Sequence, residues 1–243
     1  MKILILTPND HYYSPYTIDL INTKNEIIVI STPTLNKNET ITKIIRRSGF
    51  IFLYHMLIMK IIIYLRRLYG KEKNLKSVCK NKGMQFIPID KINDSVEIIK
   101  NMKPKIIFSL FFNQIIKKEV ISIPKYFLNV HPSLLPKYRG VSPIFWVLKN
   151  NEKTTGTSIH LLDDGIDTGD IVFQKSIEIT SNDTFHSLYK KSALIAADLI
   201  NRVIYRVGKN RFKCKKQKES EATYFTFYNK QDVKNFLKKR KFI

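Results

Sequence analysis

The sequence predicts an α/β fold in which a mostly parallel sheet carries helices on both faces. Three observations lead there. Short apolar runs alternate with longer helical stretches over the first 130 residues, the pattern of a parallel sheet with crossover helices. The 243 residues suit one medium domain, or one domain with a small appendage. Hydrophobic residues make up 44% of the chain and aromatic residues 12%, enough to bury a core.

The elements follow in order. Residues 2–7 (KILILT) form a first strand, 26–31 (EIIVIS) a second and 84–89 (MQFIPI) a third. A helix is expected over 93–101, then strands over 106–110 (IIFSL) and 126–130 (YFLNV). After residue 150 the pattern changes. Strands are expected over 155–161 and 171–179, separated by the acidic turn 163–170 (DDGIDTGD). A long helix over 183–206 follows, with Ser181 or Asn182 available as its cap. Residues 211–214 and 223–227 are expected to pair as a hairpin, and 231–239 to close the chain as a short helix. The reading divides the chain into an N-terminal domain, 1–180, and a C-terminal helix and β-hairpin extension, 181–243. In open sheets of this kind ligands bind beyond the carboxyl ends of the strands, which makes 129–131 the favoured place for chemistry.

Composition narrows the functional classes. Lys and Arg number 42 against 20 Asp and Glu, a net charge of +22. Such a field suits an anionic partner. An AT-rich coding sequence, heavy in Lys, Ile and Asn, produces the same charge, so the field identifies no partner. The two cysteines, Cys79 and Cys214, stand far apart without metal-ligand spacing, and read as free thiols in a reducing compartment. Residues 1–7 are too short an apolar run for a signal peptide. The eight glycines, at 49, 70, 83, 140, 156, 165, 169 and 208, make neither a dinucleotide fingerprint nor a P-loop.

Residues 44–67 (IIRRSGFIFLYHMLIMKIIIYLRR) stand apart. The run 50–65 is apolar except for His55 and Lys60, with Arg46, Arg47, Arg66 and Arg67 on its flanks. It is short for a membrane span, which needs roughly 20 apolar residues. A helix apolar on every face is expected to be buried or to contact a second subunit. Basic flanks around an apolar centre also fit peripheral contact with a membrane surface.

Two constellations carry the chemistry. In Asn129-x-His131-Pro132-Ser133-Leu134-Leu135-Pro136, side chains two apart on a strand share a face, so Asn129 and His131 aim into one pocket. Pro132 ends the strand. Taken alone, such a pair reads as an ordinary strand end with a structural His. The second is the acidic turn, with four Asp in eight positions. Its spacing does not fit a calcium loop. Folded back over the fifth strand, it can bring one Asp to orient His131.

Together with Lys137-Tyr138-Arg139-Gly140, Pro143 and Trp146, the first constellation resembles the signature of the folate-dependent formyltransferases. The later 155–160 (TGTSIH) and 163–171 (DDGIDTGDI) resemble its second half, and the match runs without a gap from about residue 106 to 179. The resemblance is nearest to nucleotide-sugar N-formyltransferases, which share a catalytic domain with the methionyl-tRNA enzymes. It leaves 44–67 unexplained. It implies a Rossmann-like catalytic domain, a cytoplasmic enzyme and N10-formyltetrahydrofolate as formyl donor, without a metal. It implies that Asn129 stabilises the negative charge on the formyl oxygen, that His131 donates to that oxygen or takes the amine proton, and that Asp167 holds the imidazole. By position it places the folate against Phe111, Phe112, Ile115 and Ile116 and the stretch Leu162, Asp163, Asp164. Tyr138 and Arg139 either border the acceptor or pack the loop. His160 reads as structural, and His11, His55 and His186 have no partner that the sequence names.

Three acceptors compete. A dTDP- or UDP-linked amino-deoxy sugar, feeding surface polysaccharide such as O-antigen, fits the segment 137–148, and its diphosphate fits the positive field. On that reading no nucleic acid partner is favoured, and the tail around 222–225 supports a homodimer. Methionyl-tRNA is the alternative. The resemblance gives that enzyme an added barrel, whereas 181–243 reads largely as helix. Glycinamide ribonucleotide is a third acceptor. A non-catalytic binding protein on the same scaffold is disfavoured because Asn129, His131 and Asp167 are all present.

Overall fold

The computed structural model describes residues 1–33, 41–69 and 73–242. Gly70, Ile243 and the side chains of Ile41 and Arg67 fall outside the described part. The chain opens with β1 (Lys2–Pro8), α1 (Ser14–Asp19) and β2 (Glu26–Thr32). The long α2 (Ile41–Leu68) and α3 (Leu75–Asn81) lead to β3 (Gln85–Pro88) and α4 (Val96–Met102). Next come β4 (Ile106–Leu110), a short α5 (Lys118–Ile121) and β5 (Tyr126–His131). The two-residue β6 (Arg139–Gly140) and α6 (Pro143–Lys149) precede β7 (Thr154–Leu161) and β8 (Ile171–Glu178). The chain closes with α7 (Phe185–Gly208), β9 (Tyr224–Phe225) and α8 (Lys230–Leu237).

Seven strands form one sheet in the order β3-β2-β1-β4-β5-β7-β8. The first five are parallel; β7 runs antiparallel to both β5 and β8. Period-two alternation sorts each strand between two cores. Ile3, Ile5, Val29, Phe108 and Leu128 face one side, where α7 supplies Ala196, Leu199, Ile200 and Val203. Leu4, Leu6, Ile28, Ile107 and Phe127 face the other, with Ile92, Ile99 and Val120. Burial on both faces explains why these runs are apolar without a break. The expected α/β class is therefore the observed one, with strand ends within one or two residues of the reading.

The expected C-terminal hairpin does not form. Residues 224–225 instead pair in parallel with 139–140, while Lys215 bridges singly to Ile171. A parallel partner from 85 residues away wins because the segment continues into α8, whose Val233 and Phe236 close a third core with Tyr138, Ile144, Phe145 and Leu188. α7 begins at Phe185, not 183, capped by Thr184 in a reciprocal box with Ser187. The earlier candidates lose because Asp183 is buried and accepts from Thr180 N–H, Ser187 Oγ–H and Lys191 Nζ–H.

α2 departs furthest from the expectation of a buried helix. It is kinked at Gly49 (φ 84°, ψ 168°). Beyond the kink it stands largely in solvent: Phe50 is 72% exposed, Tyr54 61% and Leu68 65%. Its inner edge rests on the third core, where Phe52 meets Tyr228 at 5.1 Å and His55 meets Phe242 at 5.1 Å between ring centroids.

The third core makes a testable claim about the C-terminal residues. Phe236 is fully buried and stacks on Phe145 at 4.8 Å. Phe236→Ala is expected to destabilise the chain by about 3–5 kcal/mol in urea titration, the usual cost of deleting a buried phenyl. A loss below about 1 kcal/mol would show that α8 is not part of the cooperative fold.

Candidate active site

The site lies at the carboxyl end of β5, where the sheet changes from parallel to antiparallel. Asn129 and His131 share one face of that strand. β7 runs back beside it with Asn129 opposite His160 and His131 opposite Ser158. Ser158 then pins the loop beyond the strand: its hydroxyl donates to Ser133 O at 2.6 Å and accepts from Leu135 N–H at 3.1 Å. Prolines 132 and 136 lie in that same loop.

Asp167 returns from the acidic turn to meet these side chains. Its Oδ1 accepts from Asn129 Nδ2 at 3.0 Å, and its Oδ2 accepts from Gly140 N–H at 2.8 Å. His131 Nδ1 lies 3.4 Å from Oδ2, and His160 Nε2 lies 3.3 Å from Oδ1. His160 Nε2 is also 3.2 Å from Asn129 Nδ2. The carboxylate thus joins β5, β7 and β6 at one point. Gln217 supports the turn from behind by donating to the carbonyls of Asp167 and Gly169, each at 2.8 Å. Gly169 allows the turn to press against β7, since an added Cβ would lie 1.9 Å from Leu161 O.

The backbone around the site is held in an unusual region. Asp167 (φ 56°), Tyr138 (φ 62°), Ser142 (φ 53°) and Phe111 (φ 52°) all adopt left-handed conformations. Non-glycine residues rarely do so, and such positions concentrate where the surroundings over-determine the chain.

Electrostatics follow from burial. Burial alone would raise the Asp167 carboxyl. His131, His160 and the Gly140 amide outweigh it and hold the group well below the usual carboxylate range. Asp167 is therefore ionised at neutral pH. For His131, which is 4% exposed, burial lowers the pKa below 6.5, while Asp167 and the Tyr138 carbonyl pull it back up. His131 Nε2–H donates to Tyr138 O at 2.8 Å, since a carbonyl can only accept. That leaves Nδ1, on the Asp167 side, as the basic nitrogen of the neutral ring.

The other candidates divide. Phe112, Ile116 and Leu162 each pack against the same core, the one that holds Ile107 and Phe127. Ile115 is 89% exposed. Phe111 faces the opposite core, stacked on His11 at 4.6 Å and near Tyr189. Asp163 closes its own turn by accepting from Thr168 Oγ1 at 2.7 Å, and Asp164 lies 3.9 Å from Lys118 Nζ at the rim. Tyr138 and Arg139 turn inward. The Tyr138 hydroxyl donates to Glu152 at 2.6 Å and its pKa is pushed up to about 12, chiefly by burial. The Arg139 fork is held by Gln217 at 2.9 Å and Glu219 at 2.7 Å. Both side chains pack the loop.

His160, expected to be structural, and Gln217, which the sequence does not single out, both join the site. Nothing in the local sequence distinguishes either one. His160 enters through strand register, and Gln217 arrives from 50 residues beyond Asp167. His11 and His186 also gain partners: His11 Nδ1 lies 2.9 Å from Ser14 Oγ, and His186 Nδ1 lies 3.0 Å from Tyr13 OH.

Two pH measurements test this electrostatic picture. In a titration of ring nitrogens by NMR, His131 is expected to titrate below 6.5, and Asp167→Asn to move it lower still, because the carboxylate is what raises it. An upward move in Asp167→Asn would contradict the assignment. Because folding lowers this pKa, the unfolded chain binds more protons just below 6.5. Stability from His131 is therefore present above 6.5 and lost as the pH falls from there through the lower folded-state value, which urea titration at stepped pH measures.

The family described as formyl transferase matches residues 64–204, more than half of the chain. Methionyl-tRNA formyltransferase of Caldanaerobacter subterraneus subsp. tengcongensis is 33% identical over 161 residues, covering 65% of this chain and 52% of that protein. The chain spans about half the length of the curated relatives it matches. Among solved structures, WlaRD, a sugar 3N-formyl transferase in the presence of dTDP and 5-N-formyl-THF, aligns with a TM-score of 0.65 and 25% identity. That alignment covers 93% of this chain and 69% of WlaRD. The N-formyltransferase from Helicobacter canadensis, in complex with folinic acid and dTDP-3-aminofucose, shares the fold with a TM-score of 0.63 at 24% identity over 96% of this chain and 72% of that one. Since the matched span holds Asn129, His131, His160 and Asp167 in the sheet that brings them together, the chain belongs to the formyl transferase family.

Proposed function

We propose that this protein transfers a formyl group from N10-formyltetrahydrofolate to the amine of a nucleotide-linked (dTDP- or UDP-) amino-deoxy sugar for surface polysaccharide. The observation that carries the chemistry is the Asp167 cluster, which puts an amide donor and a neutral imidazole on one strand end. The sugar acceptor is supported by the fold likeness to WlaRD across 93% of this chain. The positive field, net +22, suits a nucleoside diphosphate. Methionyl-tRNA remains the second reading, supported by curated methionyl-tRNA formyltransferases that are 33% and 39% identical over part of their length.

The residues present fit a folate. Phe112, Ile116 and Leu162 offer an apolar wall, and Asp163 and Asp164 a polar rim for a heterocycle with hydrogen-bonding edges. The donor supplies an activated formyl carbon when bound. Asn129 then turns an N–H from His160 toward the formyl oxygen as negative charge gathers there. Oxyanion donors of this type contribute roughly 10²–10³ in rate. His131 takes the proton of the attacking amine at Nδ1 as the new C–N bond forms, and gives it to the departing N10 as the formyl C–N10 bond breaks and tetrahydrofolate leaves. Asp167, ionised and 3.4 Å away, balances the intervening imidazolium. A pKa lowered by burial keeps the ring neutral and ready to accept at neutral pH.

A direct transfer assay tests this. N10-formyltetrahydrofolate is supplied with dTDP- and UDP-amino sugars or with methionyl-tRNA. Turnover is expected with an amino sugar; turnover with tRNA alone would replace the acceptor. His131→Ala and Asp167→Ala are each expected to lose on the order of 10²-fold or more in kcat while still binding folate. Near wild-type rates in both would reject the mechanism.

A further inference from the structure

The proposed transfer reaction makes no use of α2, yet this helix carries the largest exposed apolar surface of the described residues. Phe50, Tyr54, Leu57, Ile61, Tyr64 and Leu68 are each between 51% and 72% exposed. They recur at alternating steps of four and three, so they form one stripe along the helix. Ile51 (55%) and Leu65 (45%) widen it. The opposite edge is the one seated on Tyr228 and Phe242. The low amphipathicity seen in the sequence thus has a physical cause: one edge is apolar to dock on the domain, and the stripe is apolar for something else. The stripe offers on the order of 800 Å², far more than isolated surface apolar residues account for.

Charge decides between a second copy and a lipid surface. Residues 41–69 contain Lys43, Arg46, Arg47, Lys60, Arg66 and Arg67, and no Asp or Glu. Two such helices, packed in either direction, would bring cation against cation, with no acid at the flanking positions that pair coiled coils. On an anionic surface the same positive charges are attractive.

Topology decides how the helix meets that surface. Its window 42–66 is long and apolar enough to cross a bilayer by length and composition. However, β1 and β2 precede it, β3 and β4 follow it, and all four lie side by side in the order β3-β2-β1-β4. A crossing would place the two halves of one hydrogen-bonded sheet on opposite sides of the membrane. Both ends of α2 therefore stay on one side.

We propose that α2 is a monotopic docking element. It lies in the plane of an anionic bilayer, with the stripe Phe50–Leu68 sunk at the headgroup boundary and the Arg-rich ends at the phosphates. The protein is thereby held at a membrane surface while its sheet remains in water.

The test uses the full chain and vesicle flotation, with phosphatidylcholine alone or mixed with phosphatidylglycerol. Flotation is expected only with the anionic lipid, weakening as salt is raised. The double substitution Leu57→Glu with Ile61→Glu is expected to cut flotation at least about tenfold. Both positions are exposed, so circular dichroism and transfer activity without vesicles should be unchanged. Equal flotation on pure phosphatidylcholine would overturn the role of charge. Absence of flotation on either lipid would overturn the proposal, as would a lipid-free dimer in sedimentation that the double substitution converts to monomer. None of these outcomes depends on the acceptor, so failure here is distinct from failure of the transfer assay.

Discussion

The arrangement of the site depends on a single buried carboxylate. Asp167 touches Asn129, His131, His160 and the Gly140 amide, groups delivered by three different strands. Taking a carboxylate out of water is costly unless each oxygen is matched by donors or positive charge. Here that requirement works as an organising constraint. β5, β7 and the loop leading into β6 satisfy it only when they are in register. The arrangement that keeps Asp167 charged is the same one that aims Asn129 and His131 into a common space.

The constraint reaches the chain's far end. Gly140 offers its amide to Asp167 while pairing with Phe225, at a point where a Cβ would lie 2.2 Å from the Phe225 carbonyl. Arg139, next to it, is fixed by Gln217 and Glu219. Gln217 in turn holds the carbonyls of the acidic turn. The segment after α7 is thus a brace around the catalytic loop, anchored by the aromatic core of Phe145, Tyr228, Phe236 and Phe242. α2 rests on that same core, with Ser48 donating to Tyr228 O and Arg47 stacked 4.1 Å over Phe227. The surface element and the site brace therefore share a foundation, although they serve different ends.

The division between the two sheet faces separates the folate candidates. Phe111 follows the end of β4 with φ 52° and packs, like Leu110, on the side of α7, while Phe112 packs on the other. Of the apolar candidates, Phe112, Ile116 and Leu162 share a core on one face of the sheet. The His11–Phe111–Tyr13–Tyr189 cluster belongs to the opposite face, where burial pushes His11 down to about 3 and leaves it neutral.

What the sequence determined by itself is everything carried by local pattern. The strands 2–8, 26–32, 106–110 and 126–131 are legible because a strand covered on both faces is apolar at most of its positions. Asn129 and His131 are legible as a pair because strand period two is a local rule, whereas among the four Asp of the acidic turn only the family resemblance singles out Asp167. Only the tertiary structure decided the rest. His160 joins the site through the register between β5 and β7, which no run of neighbouring residues encodes. Tyr138 and Arg139 turn inward because their partners, Glu152, Gln217 and Glu219, arrive from elsewhere in the chain. The C-terminal strand chooses β6 over a nearby hairpin partner because α8 must reach its own apolar contacts. The exposure of α2 was hidden for the same reason: an apolar sequence states what a helix avoids, and only the closed fold shows which of its faces the domain has left uncovered.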